Sequence, residues 1–182
     1  MKWLQNGWIG YIIKEVAFPR KMGDFMRDII VKHTEAKDWD AAIAVAWITF
    51  QQIASQVSSE EAASAFRDGL TSTQLYIEFL QGRYPLFCAY SGKKIVGVLA
   101  LRNMAHISLL FVRKEFQGRG IGTRLLKECV AYCREHGILD LTVNAISTGV
   151  PFYLANGFTA FAEERLEQGL RYTPMILKHK GR

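Results

Sequence analysis

Apolar residues between 40 and 57 recur at helical spacing, with Ile43, Trp47, Phe50, Ile53 or Ala54, and Val57 sharing one face and Asp38 placed to cap the start. Before that run, Ile29, Ile30 and Val31 form a short β-branched stretch suited to a strand. Ser58 with Glu61, and Thr71 with Gln74, repeat a capping-box spacing and predict two further helices, stopped near Gly69 and at Gly82. The first third of the chain is therefore expected to be mostly helical. After Pro85 the period changes. Residues 86–90, a Ser91-Gly92-Lys93-Lys94 turn and residues 95–101 predict an antiparallel hairpin, followed by a third strand over 106–112.

Beyond that strand stands the stretch Gln117-Gly118-Arg119-Gly120-Ile121-Gly122, then a helix whose buried face is marked by Leu125, Leu126, Cys129, Val130 and Cys133 and whose end is marked by Gly137. Residues 139–145 read as another strand. A helix separates it from the strand ending at Val112, so the two are expected to lie parallel in a right-handed crossover. Pro151 suits the first turn of a short helix closed by Gly157. Residues 158–161 and 173–177 are expected to pair around a polar connection at 163–169. The sum is a mixed α/β domain.

The 182 residues suit one domain with a substantial core. At 22% charged and 49% hydrophobic residues the composition is that of a folding globular chain. A net charge of +6 favours anionic partners in general, but no long Lys/Arg run points to nucleic acid. Three cysteines without a His or Cys partner at metal-ligand spacing give no metal site and suggest reduced thiols in a cytoplasmic protein. Residues 1–28 are apolar in part, yet Gln5, Asn6, Lys14 and Glu15 interrupt them short of the ~18 residues of a membrane span. We read them as an N-terminal extension of unclear role, packed on a domain over 29–182, or as sequence ahead of a start at Met22 or Met26; a membrane anchor is the remaining alternative.

Chemistry concentrates at the glycine stretch. Glycines let the backbone turn sharply, and the following helix presents N–H groups to an anion, so residues 117–123 read as a pyrophosphate cradle to which Arg119, with Arg113 or Arg124, can add charge. A Rossmann dinucleotide site fits less well, because it needs Gly-x-Gly-x-x-Gly directly after the first strand of a βαβ unit. Here the spacing is Gly118-x-Gly120-x-Gly122, five residues intervene after Val112, and the preceding region is helical and antiparallel.

Three features in order resemble the GNAT superfamily of acetyl-CoA-dependent N-acetyltransferases: the strand end Leu110-Phe111-Val112, the loop with Gln117, Gly120 and Gly122, and the run Phe152-Tyr153-Leu154-Ala155-Asn156-Gly157-Phe158. The resemblance implies a mixed, mostly antiparallel sheet flanked by helices, with a parallel strand pair at the CoA site. It implies acetyl-CoA as co-substrate, held by the strand edge at Leu110, Phe111 and Val112, by the loop from Gln117 and Gly118 through Arg119, Gly120, Ile121 and Gly122 to Thr123, and by Asn144, Phe152 and Asn156. It also places Tyr153 beside the sulfur as an acid for the departing thiolate. Eleven residues before Gln117, His106 takes the position where some members carry a Glu base.

A base is useful. An alkylammonium of pKa ~10.4 is neutral in roughly one molecule in 10³ at pH 7. Histidine, with an ordinary pKa of ~6.5, is competent for the role. Each assignment has a plainer alternative: a strand-end His106 with ordinary hydrogen bonds, a Tyr153 that only packs its helix, solvated arginines. Trp47, Phe50, Gln51 and Gln52 are candidates to line the acceptor site, and Glu163, Glu164 and Glu167 to attract a cationic acceptor. The expected activity is an acyl-CoA-dependent N-acyltransferase acting on an amine by direct attack in a ternary complex, with a homodimer compatible with the family. The alternative is a CoA-binding regulatory or interaction module without turnover.

Overall fold

The computed structural model describes residues 9–10 and 29–178. In chain order the elements are β1 (Ile9–Gly10), β2 (Ile29–His33), α1 (Trp39–Gln51), α2 (Ala54–Val57), α3 (Glu60–Leu70), α4 (Thr73–Leu80), β3 (Leu86–Ser91), β4 (Lys94–Arg102), β5 (His106–Val112), α5 (Ile121–Glu135), β6 (Asp140–Ala145), α6 (Val150–Ala155), β7 (Thr159–Ala160), β8 (Arg165–Glu167) and β9 (Leu170–Lys178). The sheet runs β2-β3-β4-β5-β6-β9-β7, with β1 added to β6 and β8 to β9. Its pairs are antiparallel except β5 with β6 and β1 with β6. This is the expected mixed α/β fold, and it is not the parallel, doubly wound sheet of a dinucleotide-binding domain.

Alternation along the central strands sends side chains into two cores. On one face, Val98, Ala100, Leu109 and Phe111 pack with Ile43, Phe50, Phe66 and Phe79 from the early helices. On the other, Leu99, Leu101, Ile107, Leu110, Val112 and Val143 pack with Leu125, Cys129 and Cys133 of α5 and with Tyr153 of α6. Helices cover both faces, so β3, β4 and β5 are almost wholly buried, which explains their near-continuous apolar runs. Among the described residues no helix is long and apolar enough to cross a membrane.

Several local expectations shift. The helix anticipated over 40–57 breaks after Gln51, where Ile53 N–H turns back to Phe50 O (3.0 Å) and a short second helix begins. Asp38 precedes α1 without capping it by its side chain; its carboxylate instead accepts from Tyr90 Oη at 2.8 Å. The next two caps lie one residue later than the capping-box spacing indicates. Ser59 accepts from Ala62 N–H and Ser72 from Leu75 N–H, each at 3.2 Å. In both places adjacent hydroxyl residues offer two registers, and the packing of the helix decides between them. The polar connection at 163–169 contains β8, which forms a tight hairpin with β9. The turn of that hairpin docks on the start of α3: Ser58 bridges Leu170, and a Cβ at Gly169 would fall 2.7 Å from Ser59 Oγ. Of the extension 1–28, only β1 lies among the described residues, so its expected packing is otherwise outside them.

Candidate active site

Strands β5 and β6 pair at two positions, His106 with Thr142 and Ile107 with Val143. Beyond these the strands diverge, since each is held by a different neighbour: β5 by β4 as far as Val112, and β6 by β9 as far as Ala145. A residue gained in β5 contributes. Ala100 faces Leu109 but Leu101 faces Ile107, so Ser108 is a bulge that bends the strand. The result is a V-shaped opening between the inner edges of 108–112 and 144–145. Because β9 takes the outer edge of Asn144 and Ala145, the parallel pairing of Ile9 and Gly10 with those two residues puts β1 on the inner edge, inside the V.

At the open end lies a cavity of about 320 Å³, a size suited to a small-molecule site. It is lined from the strand end by Val112, from the loop and helix start by Phe116, Gln117, Gly118, Gly120, Ile121, Gly122 and Thr123, and from across the V by Thr148, Pro151, Phe152, Ala155 and Asn156. Gly118 (φ 71°) and Gly120 (φ 69°) have left-handed backbones that disfavour a side chain, and a Cβ at Gly120 would meet nothing within 4 Å. The loop thus stays open above the helix. The first helical hydrogen bond of α5 runs from Arg124 N–H to Gly120 O (3.0 Å), which leaves the N–H groups of Ile121, Gly122 and Thr123 ahead of the helical ladder. An anion seated there gains both donors and the positive end of the helix dipole.

Nine of the expected binding residues therefore line one cavity. Leu110, Phe111, Arg119 and Asn144 do not. The side chains of Leu110 and Phe111 are buried in opposite cores, so only their backbones face the V. Arg119 donates from Nη2 to Glu115 O (2.9 Å) and lies over the Phe116 ring; Arg113 Nε donates to Ile95 O (2.9 Å) and Arg124 Nη2 to Ile29 O (2.6 Å). All three guanidinium groups brace the backbone. Gln117 and Asn156 line the cavity yet hold local structure, Gln117 Nε2 donating to Val112 O (2.7 Å) and Asn156 Nδ2 to Phe152 O (2.8 Å). Phe116, Thr148, Pro151 and Ala155 also line the cavity, and sequence reasoning does not single them out as site residues: it gives Pro151 only as a helix start and Ala155 only as a spacer in the 152–158 run, and all four meet the site through loop conformation and the docking of α6.

Tyr153 lies one residue past Phe152 but turns into the core between Phe152 and Phe158, fully buried. Its hydroxyl has no hydrogen-bond partner, and burial pushes its pKa well up. An orphaned buried hydroxyl is costly, and a ligand atom reaching it would offset that cost.

The paired ends of β5 and β6 carry a row of polar groups that hydrophobic periodicity does not reveal. Leu101, Ile107 and Val143 face α5, so Arg102, His106 and Thr142, one position along in each strand, face the side of the early helices. His106 is half-buried with Nδ1 2.9 Å from Thr142 Oγ1. Arg102 is buried, its pKa lowered by that burial and supported by the nearby Tyr84 and Glu78. Tyr84 accepts from Ser108 Oγ at 2.8 Å, and burial raises its pKa to about 12. A charged residue closing the apolar run 95–101 was the available sequence signal for Arg102.

The candidates for the acceptor side do not line this cavity. Phe50 is buried against Phe66 (centroids 4.3 Å) and Phe111, Trp47 packs beside them, and Gln51 and Gln52 are exposed at the end of α1. Glu164 pairs with Arg171 (3.0 Å) and Glu167 with Arg165 (4.0 Å), which offsets their pull on a cation. Cys88, Cys129 and Cys133 are buried free thiols, and the described residues contain no cluster fit for a metal ion.

Residues 54–179 match the family model described as an acetyltransferase (GNAT) domain. An uncharacterized N-acetyltransferase of Methanocaldococcus jannaschii is 38% identical over 60 residues, 31% of this chain and 26% of that protein. The match thus spans about a quarter of that relative's length. Among solved structures, a GCN5-related N-acetyltransferase from Rhodopseudomonas palustris superposes with a TM-score of 0.70 at 22% identity, covering 82% of this chain and 94% of the other. The PaiA N-acetyltransferase of Thermoplasma acidophilum, solved with coenzyme A, gives 0.69 at 20% identity, covering 83% and 99%. At these identities the two structures establish the shared fold.

Proposed function

Since the chain belongs to the GNAT acetyltransferase family, we propose that it transfers acetyl from acetyl-CoA to a primary amine in a ternary complex. One observation carries the reading: a glycine loop and helix start form a cavity at the open end of a splayed parallel strand pair. The left-handed Gly118 and Gly120, with open space beyond Gly120, and the orphaned Tyr153 hydroxyl fit a pyrophosphate at one end and a sulfur at the other. When bound, acetyl-CoA supplies the activated acyl group.

The chain's own groups then divide the work. The N–H groups of Ile121, Gly122 and Thr123 donate to phosphate oxygens. The inner backbone edge at Leu110–Val112 aligns the pantetheine arm as an added strand, and an N–H there polarises the thioester carbonyl. His106 removes the proton that an ammonium must lose before its nitrogen can attack the carbonyl carbon. As the C–S bond breaks, Tyr153 donates its proton to the sulfur and regains one as the new amide nitrogen sheds its second proton; a phenol held neutral by burial is in the correct state to donate.

Titration with acetyl-CoA tests the site. Gly120→Val is expected to weaken binding by tenfold or more, by blocking the cradle and by the ~1 kcal/mol strain of a left-handed residue. A screen of amines for release of free CoA tests the reaction. Binding without turnover by any amine would replace the enzyme with a CoA-binding module, and no binding would remove both.

A further inference from the structure

We propose that Tyr84 is a positioning residue for the thioester carbonyl: its hydroxyl locks the Ser108 bulge, and the bulge selects which residues of β5 turn their backbone groups into the V. The catalytic consequence rests on the acetyl-transfer reading above; the lock itself does not.

The selection follows from the alternation of backbone groups between the two edges of a strand. Just ahead of β5, Ala105 O accepts from Thr142 N–H (2.9 Å), so the backbone of Ala105, and two positions on that of Ile107, turns towards β6. Continued without interruption, the same alternation would turn Leu109 and Phe111 into the V. At the other end of the strand Arg113 N–H donates to Val96 O (2.9 Å). Counting back in twos, Phe111 and Leu109 bond to β4, and Leu110 and Val112 turn their N–H and C=O into the V. One extra residue reconciles the two ends, and it is Ser108. The side chains agree: Ile107 packs on the α5 face, Leu109 and Phe111 on the face of the early helices, and Leu110 and Val112 again towards α5.

Ser108 carries the one polar side chain in the run 107–112, and it is fully buried. Its hydroxyl donates to Tyr84 Oη at 2.8 Å and lies 3.3 Å from Ala100 O, beside the register shift on β4. Tyr84 is buried as well, its ring near Trp39 (centroids 6.4 Å) in the core under the early helices. The next residue is fastened at the same place, since Pro85 O accepts from Leu101 N–H (2.9 Å) on the other side of that shift. A buried hydroxyl deprived of its partner is costly, so Ser108 stays seated against Tyr84 and the strand keeps its bend. The N–H groups of Leu110 and Val112 are thereby held in advance where a carbonyl lying along the edge meets them.

Isotope-edited infrared spectroscopy of the full chain with carbonyl-labelled acetyl-CoA tests this without an acceptor, because a hydrogen bond lowers the carbonyl stretch. The bound stretch is expected to lie below that of free acetyl-CoA in the wild type, and to move back towards it in Tyr84→Phe, which keeps the ring and loses only the hydroxyl. Ser108→Ala and the double variant are expected to give the same displacement, since the two hydroxyls act as one lock. Calorimetric affinity for CoA, which has no acyl carbonyl, is expected to stay nearly unchanged. With acetyl-CoA and n-butylamine as the probe amine, Tyr84→Phe is expected to lower kcat roughly three- to tenfold with little change in KM for acetyl-CoA. A stretch that does not move overturns the proposal. So do additive effects of the two substitutions, or a loss of CoA affinity that follows a general loss of stability, either of which would leave Tyr84 a structural residue. Should acetyl-CoA bind while no amine is acetylated, the acetyl-transfer reading fails and the infrared shift still decides the lock; should acetyl-CoA not bind, both fall.

Discussion

Tyr153 carries two predictions of opposite sign. Most buried tyrosines lose stability on conversion to phenylalanine because a hydrogen bond goes with the hydroxyl. Here the hydroxyl has no partner, so Tyr153→Phe is expected to be neutral or to stabilise by about 1 kcal/mol, read from the urea midpoint. The same change is expected to reduce kcat by 10- to 100-fold with acetyl-CoA affinity nearly unchanged. An unchanged kcat would remove Tyr153 from the chemistry. The motif reveals the residue; its enclosure between Phe152 and Phe158 is a property of the packed protein. Thr142 shows the reverse case. In sequence it is one polar position of an alternating strand, and only the register of β5 on β6 makes it the neighbour of His106.

At the scale of elements, the divergence of β5 and β6 matters most, and β1 lies inside it. Ile9 and Gly10 pair with the inner edge of Asn144 and Ala145, in the V where the pantetheine arm is proposed to lie. Segment and arm therefore compete. Replacing both residues by proline removes the two donors of β1 and is expected to tighten acetyl-CoA binding by roughly tenfold, as expected when the competent state is a minority. Unchanged affinity in a calorimetric titration would show that β1 does not obstruct the site. The caps make a smaller prediction. Ser59→Ala is expected to cost about 1 kcal/mol, measured by thermal unfolding, since Ser59 both caps α3 and meets the β8–β9 turn. Hydroxyl runs near 58 and 71 showed that helices start there, but the choice of Ser59 and Ser72 follows from which register lets Phe66, Leu70, Leu75 and Phe79 reach the core.

Across the whole molecule, buried neutral acids set the alkaline limit. Burial raises Cys88 to about 11 and Tyr84 to about 12, and holds Tyr153 well above the ordinary phenol range. Each folded pKa exceeds its unfolded value, so above pH ~9 the unfolded chain binds fewer protons and stability falls. The stabilisation is complete below the unfolded pKa values and is lost as pH rises towards 11 and 12. Urea midpoints at pH 7.5 and 10 are expected to differ, with the lower value at pH 10; equal midpoints would mean these groups ionise freely in the folded protein. By itself the sequence determined the order and kind of the central elements, the glycine loop and the family, because periodicity, turn residues and short motifs are local. Tertiary structure decided the Ser108 bulge, the V between β5 and β6, the turning of Arg119 and Gln117 onto backbone carbonyls, and the row of Arg102, His106 and Thr142. Those depend on strand register and on which edge is already paired, and both are set by contacts between residues far apart in the chain.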